Sequence, residues 1–250
     1  MTRNELLDYA LFCDGNIQKM LQMMKKNEKA PSSEYDGDYI TILDEAYPQE
    51  LLELSVPPLV LFYKGDISLL KGDKISVVGS RIPSRYGCNV TKEICSILSQ
   101  KATLISGMAK GIDALVHSSC IPFAKTIGVL GCGIDVIYPK ENRSLFREMA
   151  LTQLIISEYP ANVKPEKYHF PVRNRIIAAL GNSLVVTEAG MKSGTFLTVN
   201  EALGLNKDIY VVPYPLLGEM SGCNYLIQQG ANILADFSDV KKILNFIDKK

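Results

Sequence analysis

What most constrains the fold of this chain is a recurrent pairing: an apolar run of strand length, then glycine. Gly79 closes the run in SVVGSR, Gly107 and Gly111 lie in ISGMAKGID, Gly131 and Gly133 in GVLGCGID, and Gly190 and Gly194 in TEAGMKSGT. Glycine at such a junction lets the backbone turn tightly and approach a ligand closely. The helix that follows directs unpaired N–H groups and a partial positive charge at whatever sits on its tip. Several such turns along one edge of a parallel sheet make an anion site, and phosphates are the obvious occupants.

The runs recur at regular intervals: KISVVGS (74–80), ATLISG (102–107), KTIGVLG (125–131), QLIISEY (153–159), NSLVVTEAG (182–190), KDIYVVP (207–213) and ANILAD (231–236). A short helix, YPQELLEL, and a strand, PPLVLFYKGD, precede them. Most runs are unbroken rather than alternating, as in strands covered by helices on both faces. The intervening NVTKEICSILSQK and TFLTVNEALGLN have helical length and spacing. Alternating strand and helix predicts an α/β fold, an extended Rossmann-like, doubly wound, mostly parallel sheet over residues 39–250. Upstream, residues 4–26 read as two short helices interrupted at Asp14-Gly15-Asn16, and the polar NEKAPSSEYDGD as a linker. Residues 1–38 are thus expected to form a short helical appendage. The terminal FSDVKKILNFIDKK reads as a last helix on the sheet.

With 27 basic and 27 acidic side chains the chain has no global attraction for nucleic acid, so any polyanion site must be a local patch. Six cysteines without a CxxC pair read as reduced thiols. The opening MTRNELLDYALF has no signal-peptide pattern, and no run nears the ~20 apolar residues needed to cross a bilayer. A cytoplasmic protein without a membrane segment is expected.

The standard nucleotide fingerprints are missing. Gly79-Ser80-Arg81-Ile82-Pro83 lacks the second glycine of GxGxxG, and no GxxxxGK followed by Ser or Thr exists. Pro83 is read as the first helical residue, which leaves Arg81 in the turn at the mouth of a cleft; the alternative is a solvated loop arginine. The strongest local signal is PEKYHFPVRNRIIAALG with the lysine before it. Lys164, Lys167, His169, Arg173 and Arg175 fall within twelve residues, around Tyr168 and Phe170. Cations interleaved with rings suit single-stranded nucleic acid, whose phosphates and unpaired bases they meet; a solvated basic surface is the alternative. Arg173 and Arg175, two apart on a helix, point in nearly opposite directions. One can face a ligand, and the other is expected in a structural ion pair.

Catalytic candidates are weaker. His117 and Cys120 are three apart on an apolar-rich helix and read as packed core residues, since a nucleophile pair also needs an orienting acid and an exposed thiol. Asp113, Asp135 and Glu188 sit at strand–helix junctions, where each could act as acid or base; capping of a helix is favoured. Histidines and cysteines show no metal-ligand spacing.

Taken in order, PPLVLFYKGD, SVVGSR, SGMAKGIDALVH, GVLGCGIDVIYPKEN, IISEYP, FPVRNRIIAAL, VVTEAGMKSGTFLTV and GCNYLIQQGA resemble the DNA-processing protein A (DprA/Smf) family, from about residue 40 to residue 236. The resemblance implies an extended Rossmann-like domain that binds single-stranded DNA without sequence preference and is not an enzyme. It also implies protection of incoming strands in natural transformation, loading of the RecA recombinase, and a homodimer. By position, the DNA-contacting arginine falls on Arg81, the lysine on Lys167 and the aromatic on Phe170. Gly79, Gly107 and Gly194 would line the same pocket, with Ser80, Ser106 and Ser193 as hydroxyl donors and Arg173 and Arg175 as further candidates. No cofactor is implied. The chain departs from the family pattern at Tyr214, where glycine is frequent, and at Ser193-Gly194-Thr195 in place of SGS.

Two other classes compete. Rossmann-like phosphoribohydrolases acting on nucleoside monophosphates carry GGxGTxxE; here GMKSGTFLTVNE spaces Thr195 and Glu201 by six rather than three. A protein-binding adaptor would bind neither ligand.

Overall fold

A computed structural model describes residues 1–216 and 221–247. The apolar runs form one sheet of nine strands: β1 (Asp38–Thr41), β2 (Val60–Gly65), β3 (Lys74–Gly79), β4 (Thr103–Gly107), β5 (Thr126–Val129), β6 (Leu154–Ser157), β7 (Ser183–Glu188), β8 (Asp208–Val211) and β9 (Asn232–Ile233). Their spatial order is β1-β2-β6-β5-β4-β3-β7-β8-β9. From β6 to β9 all pairs are parallel. The chain builds outward from β3 through β4, β5 and β6, then returns to β7 on the other side of β3. That reversal is the switch point of a doubly wound sheet, where a crevice opens beyond the carboxyl ends of the strands.

The unbroken apolar runs have a direct cause. Successive strand residues face opposite sides. Val78, Ile105 and Val186 pack under α6 (His169–Leu180) and α7 (Thr195–Gly204). Their neighbours Val77, Leu104 and Val185 pack under α3 (Arg85–Leu98), α4 (Ile112–Cys120) and α9 (Phe237–Ile247). Both faces are covered, so neither can be polar. Residues 248–250 of the expected last helix lie outside the described residues.

The structure differs from the sequence expectations in three places. β1 and β2 run antiparallel to each other and to β6, with Phe62 opposite Ser157. β2 is as apolar as its parallel neighbours, so composition could not reveal its direction, and the four-residue β1 carries no periodicity to detect. Second, helices α1 (Arg3–Phe12) and α2 (Ile17–Lys25) are no detached appendage. Leu6, Leu7, Ala10, Ile17 and Met20 share a buried cluster with Val60, Phe62, Leu130 and Ile155 of the sheet. Third, α3 starts after Pro83: Ser84 is its N-cap, and the Ser84 side chain accepts from Gly87 N.

Candidate nucleic-acid interface

The crevice at the switch point is a groove of about 980 Å³ beyond the ends of β3 and β7. Three stretches wall it: the turn after β3, the start of α6, and the turn before α7. Gly79, Ser80 and Arg81 come from the first, Lys167, Phe170 and Arg173 from the second, and Lys192, Ser193 and Gly194 from the third. Four cations, Arg81, Lys167, Arg173 and Lys192, line it against one acid, Asp113. On a chain with 27 charges of each sign this is a local positive patch.

The Arg81 turn is held from two sides. Gly111 has φ +76°, and a Cβ there would fall 2.3 Å from the Ser80 carbonyl oxygen, so only glycine fits beneath this turn. Ile112 N donates to that oxygen at 3.0 Å. On the far side Thr195 Oγ1 donates to the Gly79 carbonyl at 3.2 Å. The Arg81 side chain is exposed, and its guanidinium carbon stands 5.8 Å from the centroid of the Phe170 ring. Tyr138 brings a second ring, 5.6 Å from that of Phe170 and 44% exposed. Arg81, Lys167 and Phe170 therefore share one concave rim.

Several residues expected at the ligand do other work. Ser106 is fully buried, and its hydroxyl donates to the Val77 carbonyl at 2.7 Å within the sheet. Gly107 lies under a buried charge pair. A Cβ at that position would meet Asp113 Oδ2 at 2.4 Å and Arg173 Nη1 at 2.6 Å. Burial pushes the Asp113 carboxyl up while Arg173 opposes it, and burial pushes Arg173 down while Asp113 opposes that. Arg173 is only 5% exposed, and its guanidinium donates to the Val129 carbonyl and to Asn174 Oδ1. It forms the floor of the groove rather than its rim. Arg175 points away: it pairs with the buried Glu158, with Nη2 2.5 Å from Oε1. The two arginines thus divide as their helical phase requires, and Arg175 leaves the set of candidate contacts. Ser80 Oγ accepts from Ile82 N, and Ser193 Oγ caps Thr195 N, so each hydroxyl braces its own turn. Gly194 sits exposed on the groove wall with open space around it.

The helix tip behind the Arg81 turn is closed. Glu188, fully buried at the end of β7, accepts from Ser84 N and Ser84 Oγ at the start of α3. This is the capping role favoured from sequence. Tyr214 Oη also donates to Glu188, at 2.7 Å. Burial first, then that bond, pushes the Tyr214 phenol far up.

The His117–Cys120 pair is sealed in the core. His117 and Cys120 are both fully buried. The His117 ring nitrogens meet the Gly107 carbonyl at 2.8 Å and Thr126 Oγ1 at 2.7 Å, and burial lowers its pKa to about 4. Glu201 is exposed on α7, outside the groove lining. Asp135 pairs with Lys64. Tyr138, Lys192 and the supporting role of Gly111 were not singled out from sequence. Lys192 and Gly111 lie inside the glycine-turn motifs, whereas Tyr138 reaches the groove only through the fold.

A model of the DNA recombination-mediator protein A family matches residues 38–247. The chain belongs to this family. The family resemblance read from the ordered motifs is thereby borne out. The DNA processing protein DprA of Streptococcus pneumoniae is 40% identical over 220 residues, covering 87% of this chain and 76% of that one. The Bacillus subtilis protein of the same name is 41% identical over 208 residues, 80% of this chain and 69% of its own. The X-ray structure of the pneumococcal protein superposes with a TM-score of 0.82 at 33% identity, covering 94% of each chain. DNA processing protein A from Helicobacter pylori, described for its single-stranded DNA binding mode, gives 0.75 at 31% identity over 86% of this chain and 96% of that one. Among the described residues no helix is long and apolar enough to cross a membrane.

Proposed function

We propose that this family member binds single-stranded DNA without sequence preference in the groove at the switch point, and does so as a binding protein rather than an enzyme. One observation carries the reading: Arg81, Lys167 and Phe170, far apart in sequence, line one groove, with the Arg81 guanidinium 5.8 Å from the Phe170 ring. Arg81 and Lys167 hold successive phosphates, and Lys192 extends the cationic wall. Phe170, with Tyr138 beside it, offers a face to an unpaired base, a contact of roughly 1–3 kcal/mol. Phosphates and π-faces belong to every nucleotide, so the sequence of the strand does not matter. The single-stranded DNA binding mode described for the Helicobacter pylori relative supports the same ligand class. Protection of incoming strands, delivery to RecA and assembly as a homodimer extend this reading, as the family resemblance implies.

A gel-shift comparison of single- and double-stranded oligonucleotides over a salt series tests it. Preference for the single strand is expected, with log affinity falling by about 0.7 per phosphate contacted for each unit of log salt. Arg81→Ala and Lys167→Ala should each weaken binding and flatten that slope. Parent-like binding by both variants across the series overturns the assignment. Release of free base from nucleoside monophosphates, with no oligonucleotide binding, would favour the enzyme instead.

A further inference from the structure

In a doubly wound sheet, a bound nucleotide ordinarily rests its phosphate on the helix that follows the first strand of the switch point. Here that helix is α3, and its tip is occupied. Glu188 reaches across from the end of β7, with none of its surface exposed. Ser84 N donates to Oε1 at 2.9 Å and lies 3.1 Å from Oε2, while Ser84 Oγ donates to Oε2 at 2.6 Å. Tyr214 Oη donates to Oε2 at 2.7 Å from the outer side. The fit leaves no slack, since a Cβ on Gly87 in the first turn would fall 2.0 Å from Oε2. The carboxylate takes its donors from the N-cap Ser84 and from Tyr214, in the place at the helix N-terminus where a phosphate would otherwise sit.

We infer that Glu188 is a specificity-determining residue: an internal anion that closes the nucleotide seat of α3 and fixes the turn bearing Arg81. The argument has two parts. A free nucleotide phosphate cannot enter a seat already filled by a carboxylate, because two anions would share one set of donors. At the same time Glu188 anchors Ser84, three residues beyond Arg81. The Ser80 end is held by Gly111 and Ile112. With both ends of a short turn fixed, Arg81 is presented to the groove rather than to the helix tip. Tyr214 covers the carboxylate, and the Tyr86 ring stands edge-on to the Tyr214 ring, with centroids 5.2 Å apart. Glu188 and Tyr214 are positioning residues in this scheme. Neither lines the groove.

The inference rests on the strand-binding reading only for its effect on DNA; its effect on phosphate stands independently. The test uses the full chain as parent, Glu188→Ala and Tyr214→Phe, with inorganic phosphate as probe against potassium chloride of equal ionic strength. The parent melts alike in both, apart from the general salting effect of phosphate. Glu188→Ala opens the seat, and phosphate raises its Tm by about 2–4 °C more than the parent's at several times the dissociation constant. If Glu188→Ala is unfolded without phosphate, phosphate restores its native circular dichroism, since a ligand that binds only the folded state drives folding. In phosphate-free buffer Glu188→Ala binds an oligothymidylate about tenfold more weakly than the parent, and Tyr214→Phe loses less, having kept the carboxylate. A folded Glu188→Ala with no phosphate-specific rise, or an unfolded one that phosphate does not restore, overturns the closed seat. If oligonucleotide binding fails in the parent as well, it is the strand-binding reading that falls, and the phosphate result still decides the role of Glu188.

Discussion

The rim and the floor of the groove are built from the same residue types and do opposite things. On the rim, Arg81 and Lys167 are exposed, on turns whose backbones are fixed. On the floor Arg173 and Asp113 are buried, with His117 and Ser106 packed behind the lining, and their polar atoms are engaged with the sheet or with one another. Arg175, two residues farther, is half-buried and pairs with the buried Glu158 on another side of α6. A charged side chain offers itself to a ligand only where folding has left it without full partners. The floor's polar groups are there because β4 and β5 end beneath the groove, and the carbonyls at those ends need donors. Cationic density in a sequence therefore overstates a binding site: part of it stabilises the frame on which the rest is displayed.

The sharpest way to break this division is Arg175→Ala. Removing one partner of a buried ion pair leaves Glu158 without its cation and should cost about 3–5 kcal/mol. Urea unfolding measures that cost, and oligonucleotide affinity per folded molecule should be unchanged. A stable variant with lost affinity would move Arg175 to the rim. Next comes pH. His117 goes from an ordinary value of 6.5 to about 4 on burial. Between those values the unfolded chain takes up a proton that the folded chain refuses. Stability should therefore fall as pH drops from about 6.5 towards 4, by about 3 kcal/mol in all, with no contribution above 6.5. In His117→Gln that part of the unfolding profile should flatten; an identical profile would assign the slope to other groups.

Gly107→Ala probes the space under the Asp113–Arg173 pair. The added carbon has no room between them, and overpacking of this kind costs about 1–3 kcal/mol. Full stability would mean that the floor yields more easily than its contacts imply. The smallest expected effect is on the rim. Arg81→Ala and Lys167→Ala should leave the unfolding midpoint within the equivalent of about 0.5 kcal/mol, while each removes about 0.7 from the salt slope of single-strand binding. A rim variant that loses stability and retains its slope would erase the distinction between rim and floor.

Much of this was legible from residue order. The unbroken runs announced a sheet covered on both faces, and glycines after four of them marked the edge where the groove opens. The spacing of Arg173 and Arg175 predicted that they would part. Other features left no readable mark. Ser106 and Gly107 look like any strand-end donor pair, and nothing local says that His117 and Asp113 lie beneath them. Ser84 three residues before Gly87 is a weak cap signal, and its partner Glu188 lies over a hundred positions away. Tyr138 joins Phe170 only because β5 ends and α6 begins at the same edge of the sheet.

The order of residues alone set the class of fold and the family to which the chain belongs, because strand pattern and motif order are local properties. Which cations remain exposed and which are neutralised inside, why the first helix tip is shut, and how the N-terminal helices join the core are set by packing alone. Those outcomes depend on burial and on partners distant in sequence, and the cost of an unpaired charge is set by its surroundings rather than by its neighbours in the chain.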